Sequence, residues 1–233
     1  MGTQIKLPVR TRQPKAVRES DILNAAHGIF SSKGYEKAAM SEIAKGAGVA
    51  EGTIYKHFAN KQDLLAGVVS GFYKKLIENT ENSLIGIKGI ENQLRVLITR
   101  HIKTFFEDTG LCRLLLLEVR PLNNYPHSQM HRLTRQYSEI LLRVIEEGVS
   151  NGEINSNVST KTVRDMIFGS LEHAGWNVLS SHKTTFNAEK ITDDIITIIL
   201  KGLMSVESAP QKFEENLTKL EQLVTRLENN NNP

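Results

Sequence analysis

The chain has 233 residues, 39% of them hydrophobic and 24% charged, and a formal net charge of +3. That length allows one large domain or two small ones, with a core that needs no disulfide staples. A single cysteine, Cys112, excludes a disulfide framework and any multi-cysteine metal site. The longest aliphatic runs, Leu114–Leu117 and Ile195–Leu200, are too short to cross a bilayer, and no apolar leader follows the basic N-terminus, so the expected compartment is the cytoplasm, with no membrane partner.

Where the charge sits matters more than its sum. Residues 1–65 carry ten Lys and Arg against six Asp and Glu, whereas the remaining residues carry nineteen against twenty. Lys6, Arg10, Arg12, Lys15 and Arg18 lie within the first eighteen residues, which contain no acid. A basic arm ahead of a basic module is the electrostatic footprint of a polyanion binder. A charge run alone more often marks a solvated tail, so the following segment has to decide.

The predicted elements are helical throughout, because sustained period-2 alternation and Asn-Gly or Asp-Gly hairpin turns are missing. The expected fold class is all-α, an N-terminal three-helix module followed by a larger helical bundle. The first helix is expected over 14–33, with Ile22, Ala26, Ile29 and Phe30 on one face and Gly34 as its stop. Short helices follow over 41–47 and 51–58, hinged at Gly48. Asn60 reads as an N-cap with Asp63 as its capping-box partner, opening a long helix to Leu84. Further helices are expected over 90–107, 111–120, 127–150, 160–181, 188–205 and 211–228, separated by polar or Gly/Pro breaks.

The stretch Ser41–Phe58 carries the chemistry. Ile43, Ala44 and Ala47 form an apolar stripe in which Ala44 is small enough for another helix to cross closely. Gly48 supplies the left-handed residue of a tight turn, and Val49, Ile54 and Phe58 give the second helix a buried side. This helix-turn-helix leaves Glu51, Gly52, Thr53, Tyr55, Lys56 and His57 on the opposite face. Such a helix enters the major groove by its N-terminal end. Thr53 can read a base edge or pack on a thymine methyl, Lys56 can reach guanine acceptors or a phosphate, and Tyr55 and His57 can donate to phosphates. Lys61, in the first turn of the next helix, is a further phosphate candidate. Two packed helices with a polar solvent face would leave the same pattern. A dinucleotide-binding loop fails on spacing, because Gly46, Gly48 and Gly52 read G-x-G-x-x-x-G with no strand before them.

Residues 18–65 resemble the DNA-binding domain of TetR-type transcriptional regulators, through Ile22–Ala26, Phe30, Gly34-Tyr35, Ile43-Ala44, Ala47–Val49, Gly52–Tyr55, His57-Phe58 and Asn60-Lys61. The resemblance implies a homodimer on a palindromic double-stranded operator, acting as a repressor that a small-molecule effector releases by moving the two reading heads out of register. It points to Thr53, Tyr55, Lys56, His57 and Lys61 as DNA contacts, with Ala50 and Glu51 at the helix start. Two positions depart from the family pattern. Ala39 and Met40 stand where Thr or Ser is common, so the cap and its phosphate contact are expected to shift to Ser41. Ala50 stands where Ser is frequent and brings no capping oxygen, a loss of about 1 kcal/mol unless Glu51 or a phosphate compensates. The domains expected are therefore a basic arm (1–14), the helix-turn-helix module (15–60), a ligand-binding and dimerisation bundle (61–206) and an amphipathic C-terminal helix (210–229).

In this family the bundle holds the effector pocket and the dimer interface. Val163, Ile167, Leu171, Ala174 and Val178 share one helix face, and Gly169, Ser170 and Gly175 allow close approach. Ile191, Ile195, Ile198, Ile199, Gly202 and Leu203, with Ile196 and Leu200 beside them, make the last bundle helix apolar on more than one side. A helix of that kind is expected to face a second subunit. The pocket candidates are His101, Phe105, Arg113, Leu117, Glu118, Arg120, Tyr137, Met166, His173 and Trp176, an apolar set with a few polar groups. The leucine run between Arg113 and Arg120 suits an amphiphilic, partly anionic ligand. Leu115–Arg120 and Arg164–Gly169 are similar to the subgroup that responds to fatty acyl-CoA, which places acyl-CoA beside another lipid or a drug-like molecule as the effector. The competing reading is a DNA-binding regulator or architectural protein without a small ligand, controlled through a protein partner.

No catalytic site, metal site or cofactor is expected. His127 and His131 stand at i and i+4 but lack a third ligand and a His-Glu-x-x-His pattern, and no nucleophile elbow is present. Phe213, Leu217, Leu220, Val224 and Leu227 alternate spacings of four and three, a coiled-coil seam of about two heptads.

Overall fold

The computed structural model describes residues 14–121, 123–180, 187–203, 217–220 and 222, and their regular elements are all helices. These are α1 (Lys15–Lys37), α2 (Met40–Gly46), α3 (Glu51–Ile54), α4 (Lys61–Leu84), α5 (Ile90–Glu107), α6 (Thr109–Leu114), α7 (Gln129–Ser150), α8 (Thr160–Ser180) and α9 (Ala188–Leu203). A π-helical turn, Leu115–Val119, continues α6, and a 3-10 turn, Tyr125–His127, precedes α7. The basic arm as far as residue 13, and Phe213, Val224 and Leu227 of the C-terminal seam, lie outside the described residues; 217–220 and 222 are helical.

The chain packs as two compact units that are not two continuous halves. One comprises residues 1–75 and 108–134, the other 76–107 and 135–233. The boundary read from the sequence at residues 60/61 marks the start of α4, whereas the units divide inside that helix.

In the first unit α1 packs against both α2 and α6. Ile22, Ala26 and Phe30 are fully buried, as their spacing on α1 requires, and they share the core with Ile43, Ile54, Leu64 and Leu111. Asn60 caps α4 by accepting the N–H of Asp63 at 2.8 Å. Asp63 reciprocates one residue early, accepting from the N–H of Ala59 at 3.0 Å. Gly67 is a necessity the pattern concealed: a side chain there would stand 2.9 Å from Leu23 and 3.1 Å from Phe58.

In the second unit α5 packs against α8 and α9, and Leu94, Ile98 and Ile102 are buried on it. Arg95 pairs with Asp193 of α9 and Thr99 hydrogen-bonds Thr192 at 3.4 Å. The N–H of Ile90, at the start of α5, is satisfied by Glu153 at 3.0 Å.

Several expected elements change form. Gly34 does not end α1; it kinks it at φ 79°, and a further turn runs to Lys37. The second helix of the helix-turn-helix is regular only to Ile54, because Lys56 and His57 donate three residues back and tighten the chain through Phe58. The helix expected over 111–120 starts earlier, since Asp108 caps it by accepting from Leu111 at 3.2 Å, and then widens when Arg120 donates to Leu115. Ser128, accepting from His131, moves the start of α7 past His127.

Candidate nucleic-acid interface and effector cavity

The α2–α3 pair owes its geometry to two small residues. Gly48 adopts φ 65°, and Ala44, 4% exposed, accepts the N–H of Val49 at 3.0 Å to close the turn. Lys33 holds α2 to α1 through Glu42 at 2.6 Å, and this hydrogen bond keeps the Glu42 carboxyl below its ordinary pKa.

On the outer face Ser41, Ala50, Glu51, Tyr55 and Lys56 are exposed, and Thr53 is half-buried. Neither α2 nor α3 has a side-chain cap: Ala39 and Ala50 occupy the cap positions, and Ser41 sits within the first turn of α2. The expected shift of the cap to Ser41 does not occur, because helical conformation already begins at Met40.

Two residues in the same set face elsewhere. The His57 side chain is only 6% exposed, and its Nδ1 points to Glu19 of α1 at 3.6 Å. Lys61 donates to the carbonyl of Glu36 at 3.1 Å, with its ammonium 4.6 Å from the centre of the Tyr35 ring. Lys61 thus ties the start of α4 to the last turn of α1, whereas His57 lies beside the first turns of α1. In the tightened turn after α3 neighbours stand about 120° apart, so Lys56 and His57 part company although adjacent in sequence.

The same unit binds residues 108–118 tightly to α1. His27 Nε2 lies 2.5 Å from Asp108 Oδ2, Glu118 accepts the N–H of Tyr35 at 2.7 Å, and Gly110 crosses α1 so closely that a Cβ would meet the Ser31 carbonyl at 2.5 Å. Cys112 is buried beneath this contact, where desolvation and then Asp108 push its thiol pKa up to about 12. Arg113 and Leu117 are exposed, Glu118 belongs to the α1 clamp, and Arg120 hydrogen-bonds Tyr73, whose hydroxyl also accepts from Thr134 at 3.0 Å. Burial raises the Tyr73 pKa.

A cavity of about 10 Å³, the size of one water, lies in the second unit between α5, α7 and α8. Leu97, Ile98, His101, Tyr137, Leu141, Ile167, Phe168 and Leu171 line it. His101 and Tyr137 come together at this cavity, and Phe105 abuts His101 edge-on at 5.5 Å. Met166, His173 and Trp176 lie on the exposed side of α8. Of the ten pocket candidates, His101 and Tyr137 line this cavity. Gly175 allows a close approach: its bare Cα faces Phe105, whose ring atoms would be 2.5–2.7 Å from a Cβ.

Residues 22–68 match the model of the bacterial regulatory proteins of the tetR family, and residues 72–202 match that of the YsiA-like protein C-terminal region. The chain belongs to the TetR family. This TetR-family protein is accordingly a DNA-binding transcription regulator. It is 27% identical over 197 residues to the fatty acid metabolism regulator protein of Bacillus subtilis (strain 168), spanning 84% of this chain and 98% of the relative. It is 22% identical to the HTH-type transcriptional repressor KstR2 of Rhodococcus jostii (strain RHA1), over 85% and 97% of the two chains. Among solved structures it is similar to the regulator FadR of Bacillus subtilis in complex with stearoyl-CoA, with a TM-score of 0.71, 27% identity and coverage of 78% and 98%.

The sequence of this TetR-family regulator marks the helix faces around the cavity but not the cavity itself. Leu97, Ile98 and His101 fall on one face of α5 at helical spacing, and Ile167, Phe168 and Leu171 repeat that spacing on α8. Periodicity marks both as core faces. It does not mark where two core faces fail to meet.

Among the described residues no helix is long and apolar enough to cross a membrane.

Proposed function

We propose that this regulator is a dimeric repressor that leaves its palindromic operator when an acyl-CoA-like effector enters the second unit. The observation that carries the reading is the apolar cavity between α5, α7 and α8, in a chain similar over 78% of its length to a regulator solved with stearoyl-CoA. Ser41, Ala50, Glu51, Thr53, Tyr55 and Lys56 form the DNA face, with His57 and Lys61 supporting it. Thr53 and Lys56 read base edges, and Tyr55 fixes register on phosphates.

The exposed apolar side of α8 and α9 supports the dimer. Met166 is 61% exposed, Trp176 45% and Ile198 70%, on helices whose opposite faces are buried. Large apolar side chains exposed in this way belong under a second copy.

A cavity with room for one water has to be opened by its ligand. An acyl chain therefore binds an expanded second unit and disfavours the closed one, and DNA is released only to the extent that DNA prefers the closed one. The chain passes between the units three times, within α4, at Glu107–Asp108 and within α7, and each passage is a covalent route for that coupling. By linkage, operator DNA must weaken effector binding as much as effector weakens DNA binding.

The test is an operator selected from random duplex DNA, titrated with the protein in the presence and absence of stearoyl-CoA. Weaker operator binding with stearoyl-CoA, by about fivefold or more, is expected. Operator affinity unchanged by acyl-CoAs of both short and long chain would rule this effector class out.

A further inference from the structure

Helix α5 carries Arg95, Arg100 and Lys103, and their surroundings differ. Arg95 is engaged by Glu91 and Asp193, and Lys103 is exposed. Arg100 is part-buried, and its guanidinium Nε is enclosed by the protein without a hydrogen-bond partner. Among the described residues no carboxylate pairs with it. An enclosed guanidinium N–H without an acceptor is costly, and a native protein keeps one where a partner from outside the chain supplies the acceptor.

Arg100 also stands beside the cavity. Leu97, one turn before it, and His101, immediately after it, both line the space between α5, α7 and α8. Leu97 is 6% exposed and Thr104, four residues on, 7%, so the Arg100 stem leaves α5 from a buried strip. Thr104 adds a hydrogen bond to the Arg100 carbonyl at 3.0 Å. No Lys, Arg or carboxylate lines the cavity itself. An amphiphile that buries its chain there has to leave its charged end at the edge, and Arg100 is the cation on that flank of α5. A guanidinium stays charged at every working pH, and its fork of N–H donors matches both carboxylate and phosphate.

We propose that Arg100 pairs with the anionic end of the effector whose apolar chain enters the cavity. The proposal rests on the acyl-effector reading above and adds the charged group that is recognised and the residue that recognises it. The anion can be the carboxylate of a free fatty acid or a phosphate of CoA, and the probes separate these two sources.

The experiment measures binding of stearate, stearoyl-CoA and 1-octadecanol, which has the chain without the charge, to the full-length protein, to Arg100→Met and to Arg100→Lys. Arg100→Met is expected to weaken at least one anionic probe by roughly tenfold or more, the worth of one charge-assisted hydrogen bond, while binding 1-octadecanol as the wild type does. A loss confined to stearate assigns the carboxylate, and one confined to stearoyl-CoA assigns a phosphate. Arg100→Lys, which keeps the charge without the fork, is expected to recover part of the loss. The melting temperature without effector supplies a readout that a merely structural arginine would move: removing an enclosed N–H that lacks an acceptor should leave Arg100→Met at least as stable as the wild type. Anionic probes bound equally by the wild type and Arg100→Met, or an equal loss for all three probes, overturns the proposal. So does a lower melting temperature with unchanged selectivity for the anions. Failure of the wild type to bind any of the three is a different result, and it overturns the acyl-effector reading itself.

Discussion

Glu118 and Tyr35 are 83 positions apart in the chain, yet one carboxylate oxygen of Glu118 accepts the Tyr35 N–H at 2.7 Å while the other lies 2.7 Å from where a Cβ on Gly34 would stand. The kink in α1 and the π-helical turn after α6 are therefore two sides of one contact. The kink frees a backbone donor, and the turn delivers the acceptor.

Replacing Glu118 by Ala leaves that part-buried N–H without its partner and should cost about 1–2 kcal/mol in urea unfolding. Glu118→Gln keeps an acceptor oxygen and should retain most of the stability. Gly34→Ala should be the worst of the three. Its φ of 79° and ψ of 170° belong to a region nearly restricted to glycine, at about 1–3 kcal/mol of strain, before the collision with Glu118 is counted.

Lys56 and Lys61 should separate in a paired measurement. Lys56 is exposed on the proposed DNA face, so Lys56→Ala should weaken operator binding and relax its sequence preference without moving the melting temperature. Lys61 is tied to Glu36 and the Tyr35 ring, so Lys61→Ala should also reduce stability, by about 0.5–1 kcal/mol. Identical melting curves for the two variants would contradict the placement of Lys61.

Cys112 gives the protein an alkaline limit. Its thiol is raised from 9.0 to about 12 in the folded state, so the neutral form is favoured by folding. That contribution is fully present below pH 9 and is lost as the pH rises towards 12. Unfolding free energy measured against pH should fall across that window, and Cys112→Ala should flatten the fall. Tyr73, also raised by burial, acts in the same direction and leaves a residual slope. Iodoacetamide at about pH 8 should label the native thiol far more slowly than the urea-unfolded one.

Gly175→Ala should drive a methyl group into the Phe105 ring, a clash to which a packed core responds with a loss of about 1–3 kcal/mol. Because Phe105 abuts His101, the same substitution should also change stearoyl-CoA affinity. Differential scanning calorimetry with and without stearoyl-CoA reads both effects.

Ile198→Asp places a charge on the exposed side of α9. Sedimentation velocity should show the dimer giving way to monomer, with operator affinity falling alongside it. A dimer of unchanged stability would move the interface away from this face.

The legible parts of this protein were its locally encoded ones. The α2–turn–α3 motif, the Asn60 cap and the spans of α5 and α8 follow from residues within a few positions of one another. The pocket candidates were legible only in part, because a helix face says that it is buried and not against what. Arg113 and Leu117 face solvent, Glu118 clamps α1, and only His101 and Tyr137 of the ten line the cavity.

The sequence by itself determined the helical class, the DNA-reading motif and the family, since helical period, caps and turn glycines act over one or two turns of chain. The tertiary structure alone decided that His57 turns inward to Glu19, that Lys61 braces Tyr35, that Glu118 serves α1 instead of the cavity, and that His101 meets Tyr137. These outcomes depend on which helix lies across which. That is set by side-chain volumes at crossings such as Gly110 on Ser31 and Gly175 on Phe105, residues 79 and 70 positions apart, beyond the reach of any local pattern.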